Sequence, residues 1–248
     1  MQRSRNATPS LVPAVPAFAG CADGTGIVFA AIINIGMMPT STANAAHSGA
    51  GKYACITIGV LALQGDYEAH ARAFTSAGAH TVLVRKPEQL TGLDGLAMPG
   101  GESTTMLKFL ETHGFFAALQ NFVAATPTFA TCAGCILAAR EVLRPPQRSL
   151  GVLDATVERN AYGRQIDSTI LTLPTELPGG PLEMVFIRAP RITRVGPDVE
   201  VLAYRDSFPT LVRQRDLLAA TFHPEMTSDT RVQKLFLDMV LARKLRRA

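Results

Sequence analysis

Pro127-Thr-Phe-Ala-Thr-Cys-Ala-Gly-Cys-Ile-Leu-Ala-Ala139 changes character at its middle. Up to Thr131 the residues are small, apolar and strand-like; from Ala133 onward they favour helix. A cysteine at that junction is pushed out on a tight turn, with a helix N-terminus beneath it. Such a terminus favours an anionic group nearby, and the nucleophile elbow of hydrolases carries serine in the same way. Cys132 is therefore a candidate nucleophile. The strand–turn–helix around it predicts a parallel α/β sheet whose site gathers at the strand ends.

The flanking sequence extends this pattern. Ile56-Thr-Ile-Gly-Val-Leu-Ala62 is a short β-rich run, as expected of a buried parallel strand. Asp66 can cap a helix that ends near Gly78. His80–Val84 and 94–98 read as the second and third strands. Ser103 is expected to cap the next helix, whose Met106, Leu107 and Leu110 share a face and which Gly114 closes. Phe115–Ala125 is a further helix. After Arg140 the pattern turns to β, with strands expected at 151–158, 169–173, 184–188, 199–204, 210–213 and 217–222. A last helix over 228–244 carries an apolar stripe of Val232, Leu235, Phe236, Met239 and Val240. The alternation predicts an α/β fold: an open, mostly parallel central sheet with helices on both faces, flavodoxin-like.

A chain of 248 residues, 47% apolar and 18% charged, can bury the core of one domain. Half of its net charge of +4 belongs to residues 1–52, where Arg3, Arg5 and Lys52 face Asp23 alone. The remainder is close to neutral, which argues against nucleic-acid binding. Arg243, Lys244, Arg246 and Arg247 read as a solvated helix end. Cysteines 21, 55, 132 and 135 are too few for a disulfide framework, so thiols and a cytoplasmic location are expected. Residues 1–54 are rich in Ala, Gly, Pro, Ser and Thr. Their apolar run over 27–38 is about half the length that spans a bilayer, so no membrane association is expected. Pro9, Pro13 and Pro16 fit an export signal poorly. The expected organisation is a disordered N-terminal extension over 1–54 and a catalytic domain over 55–248.

Phe222-His-Pro-Glu225 can complete the chemistry. In an extended backbone residues 223 and 225 share a face, so Glu225 can hold one imidazole nitrogen of His223 and leave the other to Cys132. In Pro99-Gly-Gly-Glu-Ser103, the backbone N–H groups of Gly100 and Gly101, with that of Ala133, are candidates for an oxyanion hole. Arg159, beside Asn160, and Arg188 fall at expected strand ends and suit a substrate carboxylate. His47, His70, His80 and His113 have no acidic partner in a matching arrangement and are expected to be structural or superficial. Cys132 and Cys135 form C-x-x-C, but zinc would need two further ligands and thiol redox chemistry leaves His223 and Glu225 unexplained. Cys135 is expected to face the core, one turn along.

Together these motifs resemble the glutaminase subunits of pyridoxal phosphate synthase, a branch of the class I glutamine amidotransferases. The resemblance covers about residues 56–245. It rests on Ile58-Gly-Val-Leu-Ala-Leu-Gln-Gly65, Pro99-Gly-Gly-Glu-Ser-Thr-Thr-Met106, Thr131-Cys-Ala-Gly134, Glu158-Arg-Asn-Ala-Tyr-Gly-Arg-Gln-Ile-Asp-Ser168, Phe186-Ile-Arg-Ala-Pro190 and Phe222-His-Pro-Glu225. It implies Cys132 as nucleophile, His223 and Glu225 as the rest of a triad, and Gly101, Glu102, Ser103, Arg159, Ile187 and Arg188 as glutamine-binding positions. It also implies L-glutamine as substrate, no cofactor or metal, and a (β/α)8-barrel synthase subunit that receives the ammonia. Two positions depart from the family pattern: Ala130 stands where glycine is usual, and Cys135 replaces a larger apolar residue. The alternatives are the glutaminase of another class I amidotransferase, such as that of imidazole glycerol phosphate synthase, and a silent regulatory binding module.

Overall fold

A computed structural model describes residues 51–112, 114–161 and 168–247. The expected extension, apart from 51–54, lies outside these residues, as do His47, His113 and part of the 158–168 motif. Tyr53 is only 4% exposed, and its hydroxyl donates to Asp238 Oδ1 at 2.6 Å, so the folded unit takes in residues upstream of a boundary at 54/55.

The first half of the chain alternates β1 (Thr57–Leu61), α1 (Tyr67–Ser76), β2 (His80–Val84), β3 (Gly95–Met98), α2 (Ser103–Leu110), α3 (Phe115–Ala125), β4 (Thr128–Thr131) and α4 (Ala133–Ala138). The second half runs β5 (Ala139–Leu143), β6 (Leu153–Glu158), β7 (Thr169–Leu173), β8 (Leu182–Phe186), β9 (Arg191–Val195), β10 (Glu200–Arg205), β11 (Phe208–Gln214), β12 (Leu217–Ala220) and α5 (Arg231–Leu245). The main sheet has seven strands in the order β10-β11-β12-β4-β3-β1-β2. From β12 to β2 every pairing is parallel; β10 and β11 add an antiparallel edge. The register sets Ala220 opposite Thr131, so the ends of β12 and β4 lie side by side.

Helices cover both faces. Adjacent strand residues divide between two cores: Val60, Ala97, Phe129 and Leu218 on one face, Leu61, Met98, Ala130 and Ala219 on the other. The second face packs against Met106 and Leu110 of α2, Leu119 of α3 and Ile136 of α4. The first packs against Phe74 of α1 and Val232, Phe236 and Val240 of α5. There Phe74, Phe129 and Phe236 meet with ring centroids 5.6–6.1 Å apart. Each such buried ring contributes about 1.5–3 kcal/mol. The expected open, mostly parallel α/β sheet is therefore the fold observed.

Several local expectations change. Glu102, not Ser103, caps α2: its carboxylate accepts from the backbone N–H of Thr104 at 3.2 Å and Thr105 at 2.6 Å. A carboxylate there satisfies two orphan donors and complements the helix dipole. Gly114 does not close α2, which ends at Leu110; in a left-handed conformation (φ 72°) it opens α3. β5 and β9 were not anticipated; with β6 they form a separate three-stranded sheet. The basic tail is more than a solvated end. Lys244 Nζ donates to Cys55 O at 2.7 Å and Asp94 Oδ2 at 2.9 Å, and Arg247 Nη2 donates to Ala125 O at 2.8 Å. No described helix is long and apolar enough to cross a membrane.

Candidate active site

Cys132 occupies the N-cap of α4 with φ 47° and ψ −102°, a conformation that costs a non-glycine residue of the order of 1–3 kcal/mol. Backbone bonds on both sides hold it there. Its N–H donates to Ala220 O at 2.9 Å, and its carbonyl accepts from Ile136 N at 3.1 Å. Gly134 N donates to Pro99 O at 3.2 Å, which ties the elbow to the glycine loop. Gly134 must be glycine for this: a Cβ there would stand 2.2 Å from the backbone oxygen of Met98. Ala130, the departure from the family pattern, lies in β4 opposite Met98 and Ala219, fully buried, and the elbow beyond it forms. Cys135 is also fully buried, and burial, with Cys132 nearby, pushes its thiol up to about 12.

His223 follows the end of β12, beside β4. Its backbone N–H donates to Val185 O of β8 at 2.8 Å. Its Nδ1 lies 2.7 Å from Glu225 Oε1, and its ring also interacts with the Cys132 thiol. The stretch is not extended as expected. Pro224–Met226 form one turn of 3-10 helix, and this turn folds Glu225 back under the imidazole. His223 is 6% exposed and Glu225 9%. Burial alone would lower His223, but its bonds to Cys132 and Glu225 prevail and raise it to about 10. Burial alone would raise Glu225, but His70 and His223 beside it lower it to about 2.

These shifts make stability depend on pH. The His223 contribution is fully present below 6.5 and is lost as pH rises toward 10. The Glu225 contribution is present above 4.5 and is lost as pH falls toward 2. Thermal denaturation of wild type and Cys132→Ala across 6.5 to 10 should therefore show the larger alkaline loss in wild type. Parallel curves would rule out the coupling between sulfur and imidazole.

Cys132 opens on a cleft walled by Gly101–Ser103, Ile136, Arg159–Asn160 and Ile187–Arg188. The cleft thus brings Gly101, Glu102, Ser103, Arg159, Ile187 and Arg188, the six positions expected to bind substrate, together with Cys132. Arg159 follows β6, and its Nη2 donates to Thr104 Oγ1 at 2.9 Å and contacts Glu102 Oε1 at 3.3 Å. Arg188 is exposed at the cleft's edge with φ 44°; Asn160 has φ 53°. Three of the six described non-glycine residues with positive φ therefore line this one cleft, where backbone strain commonly marks function. Ser103 is buried and its hydroxyl donates to Gln147 Oε1 at 3.0 Å. On the other side of the glycine loop, Gly100 faces the imidazole so closely that a Cβ would stand 2.2 Å from His223 Cε1. Among the described residues no group of three or more His, Cys, Asp or Glu side chains could hold a metal ion.

Two residues of the site went unassigned in the sequence. Gln64, three residues past β1, accepts from Glu102 N at 2.6 Å and so braces the glycine loop. Its place beyond a parallel strand's carboxyl end was the available signal. His70, expected to be structural or superficial and without an acidic partner, is fully buried with Nε2 3.3 Å from Glu225 Oε1. Its spacing of four from Phe74 places it on the buried face of α1, but nothing local announces the carboxylate it meets.

Comparison with known proteins agrees with this geometry. The model of the SNO glutamine amidotransferase family matches residues 60–242. The chain belongs to that family. This glutamine amidotransferase is 60% identical over 183 residues to the pyridoxal 5'-phosphate synthase subunit PdxT of Koribacter versatilis, covering 74% of this chain and 95% of that one. It is 48% identical over 186 residues to PdxT of Thermotoga maritima, covering 74% and 98%. A solved glutamine amidotransferase structure superposes with a TM-score of 0.69 at 45% identity, covering 74% and 98%. PurLQS from Thermotoga maritima, at 12% identity and a TM-score of 0.52 over 74% and 98%, shares the fold alone.

Proposed function

We propose that Cys132, His223 and Glu225 hydrolyse the side-chain amide of L-glutamine, and that the ammonia passes to a (β/α)8-barrel subunit that builds pyridoxal 5'-phosphate. The observation that carries this reading is His223, held by Glu225 and interacting with a Cys132 that opens on a cleft with two arginines. The family and the relatives at 60% and 48% identity make the chain the glutaminase subunit of pyridoxal 5'-phosphate synthase, in vitamin B6 biosynthesis.

The Cys132 thiolate adds to the amide carbon, and the oxygen that gains charge faces the N–H groups of Gly100, Gly101 and Ala133. One such donor is worth about 2.7–4 kcal/mol in the transition state. His223, an imidazolium at neutral pH, gives its proton to the leaving nitrogen. Ammonia departs and a glutamyl thioester remains. The neutral imidazole then takes a proton from water, whose oxygen displaces the sulfur. Glutamate leaves, and thiolate and imidazolium are restored. Glu225 keeps the imidazole oriented throughout. Gly101, Glu102, Ser103, Arg159, Ile187 and Arg188 hold the glutamine; with Arg159 engaged by Glu102 and Thr104, Arg188 is the guanidinium for the substrate's α-carboxylate. A reducing compartment such as the cytoplasm suits the thiols of Cys132 and Cys135.

Glutamate release, assayed with and without a barrel synthase subunit, tests the reading. Release should rise on adding the subunit and disappear in Cys132→Ala. Release that ignores the subunit would refute the ammonia transfer, and release that survives the substitution would refute the triad.

A further inference from the structure

We infer that His70 is a positioning residue for the glutaminase reaction, holding Glu225 and the end of β4 in place for the triad. The inference rests on the triad proposed above and adds a residue from a different element, α1.

Four observations carry it. His70 is fully buried, packed at centroid distances of 6.5 Å from Phe74 and 5.9 Å from Phe129. An imidazole in such a place needs a polar partner. Its Nε2 has two oxygens in reach: Thr131 Oγ1 at 2.9 Å and Glu225 Oε1 at 3.3 Å. Its Nδ1 meets no hydrogen-bond partner among the described residues. The proton therefore belongs on Nε2, since a proton on Nδ1 would leave a buried donor unsatisfied. Lastly, the two oxygens belong to the catalytic segments themselves. Thr131 immediately precedes Cys132, and Glu225 is the acid that His223 leans on.

Without His70, Glu225 would be a buried carboxylate with one imidazole as partner. Burial would then favour its neutral form, and a neutral carboxyl orients and stabilises an imidazolium poorly. The titratable groups that reach Glu225 are His223 from its own turn and His70 from α1, with Cys132 acting through His223. His70 is not among the residues that line the cleft. Its loss should therefore act on kcat and on the pH profile rather than on glutamine binding.

The test compares His70→Leu, His70→Gln, His70→Asn and Glu225→Gln with wild type, each assayed with the barrel subunit across pH. Glutamine brings an amide N–H to about the position of Nε2; asparagine is too short to do so. His70→Leu should lower kcat by about ten- to a hundredfold, short of the ~10⁴-fold cost of mis-set imidazole orientation in a triad. KM for glutamine should stay within about twofold and the acid limb should rise by about one pH unit. His70→Gln should restore both kcat and the limb, and His70→Asn should not. If the leucine variant does not fold, the glutamine and asparagine pair decides. A folded His70→Leu with wild-type kcat and limb, or equal behaviour of glutamine and asparagine, overturns the inference. Full activity in Glu225→Gln would instead refute the triad; an inactive Glu225→Gln beside an unaffected His70→Leu removes His70 alone.

Discussion

Cys132→Ala should abolish glutaminase activity, by about 10⁴-fold or more, while the protein stays folded. The second thiol of the pair, Cys135, is fully buried in the core and cannot take its place. The backbone needs no sulfur to keep its shape: the bonds from Cys132 N to Ala220 O and from Ile136 N to Cys132 O remain available to alanine. Alanine still carries a Cβ at φ 47°, so the strain of the elbow persists. Cys132→Gly relieves it, because glycine enters that region freely. Glycine should therefore melt at a higher temperature than alanine, although both are inactive. Glutamate release and thermal denaturation on the two variants check both halves. An alanine variant as stable as the glycine variant would mean that the elbow holds no strain.

Gly100→Ala should cost about a hundredfold or more in kcat with little loss of stability. The added methyl would lie 2.2 Å from Cε1 and 3.0 Å from Nδ1 of His223, so the ring must move. Its movement disturbs both neighbours at once, because the same imidazole holds the 2.7 Å bond to Glu225 and interacts with Cys132. The obstacle is a buried side chain rather than backbone, so the ring can shift while the glycine loop keeps its course. Steady-state kinetics and a melting curve decide it: wild-type kcat would mean that the glycine loop does not press on the base.

Much of this is legible in the sequence. Strands β1 to β4 are short β-rich runs bounded by turn residues, and α1 has its Asp66 cap, whose Oδ1 accepts from Ala69 N at 3.2 Å. Local chemistry dictates such elements. Cys132, His223 and Glu225 were readable because each sits in a short motif whose residue types only make sense together. Other features depended on distant partners. Ser103 and Glu102 are both plausible caps, and the carboxylate prevailed because it reaches two N–H groups at once. β5 and β9 became strands through pairing with β6, which no local pattern encodes. The 3-10 turn at 224–226 replaced an extended segment because only a folded-back Glu225 reaches Nδ1 of the preceding histidine. His70 meets Glu225 across 155 positions of sequence, and Tyr53 meets Asp238 across 185. Contacts of that range are invisible to any windowed pattern.

Strands β12 and β4 are hydrogen-bonded neighbours, with Ala220 opposite Thr131. Cys132 stands one residue beyond one of these ends and His223 three beyond the other. The strand ends that carry them are thus set one ladder spacing of a parallel sheet apart, about 4.8 Å. That ruler lies at the centre of seven strands, with core on both faces. Warming loosens loops and edges long before it loosens such a ladder. The spacing of thiol and imidazole should accordingly hold almost constant up to the cooperative transition, so that the enzyme loses its chemistry abruptly, together with its sheet, instead of fading by degrees.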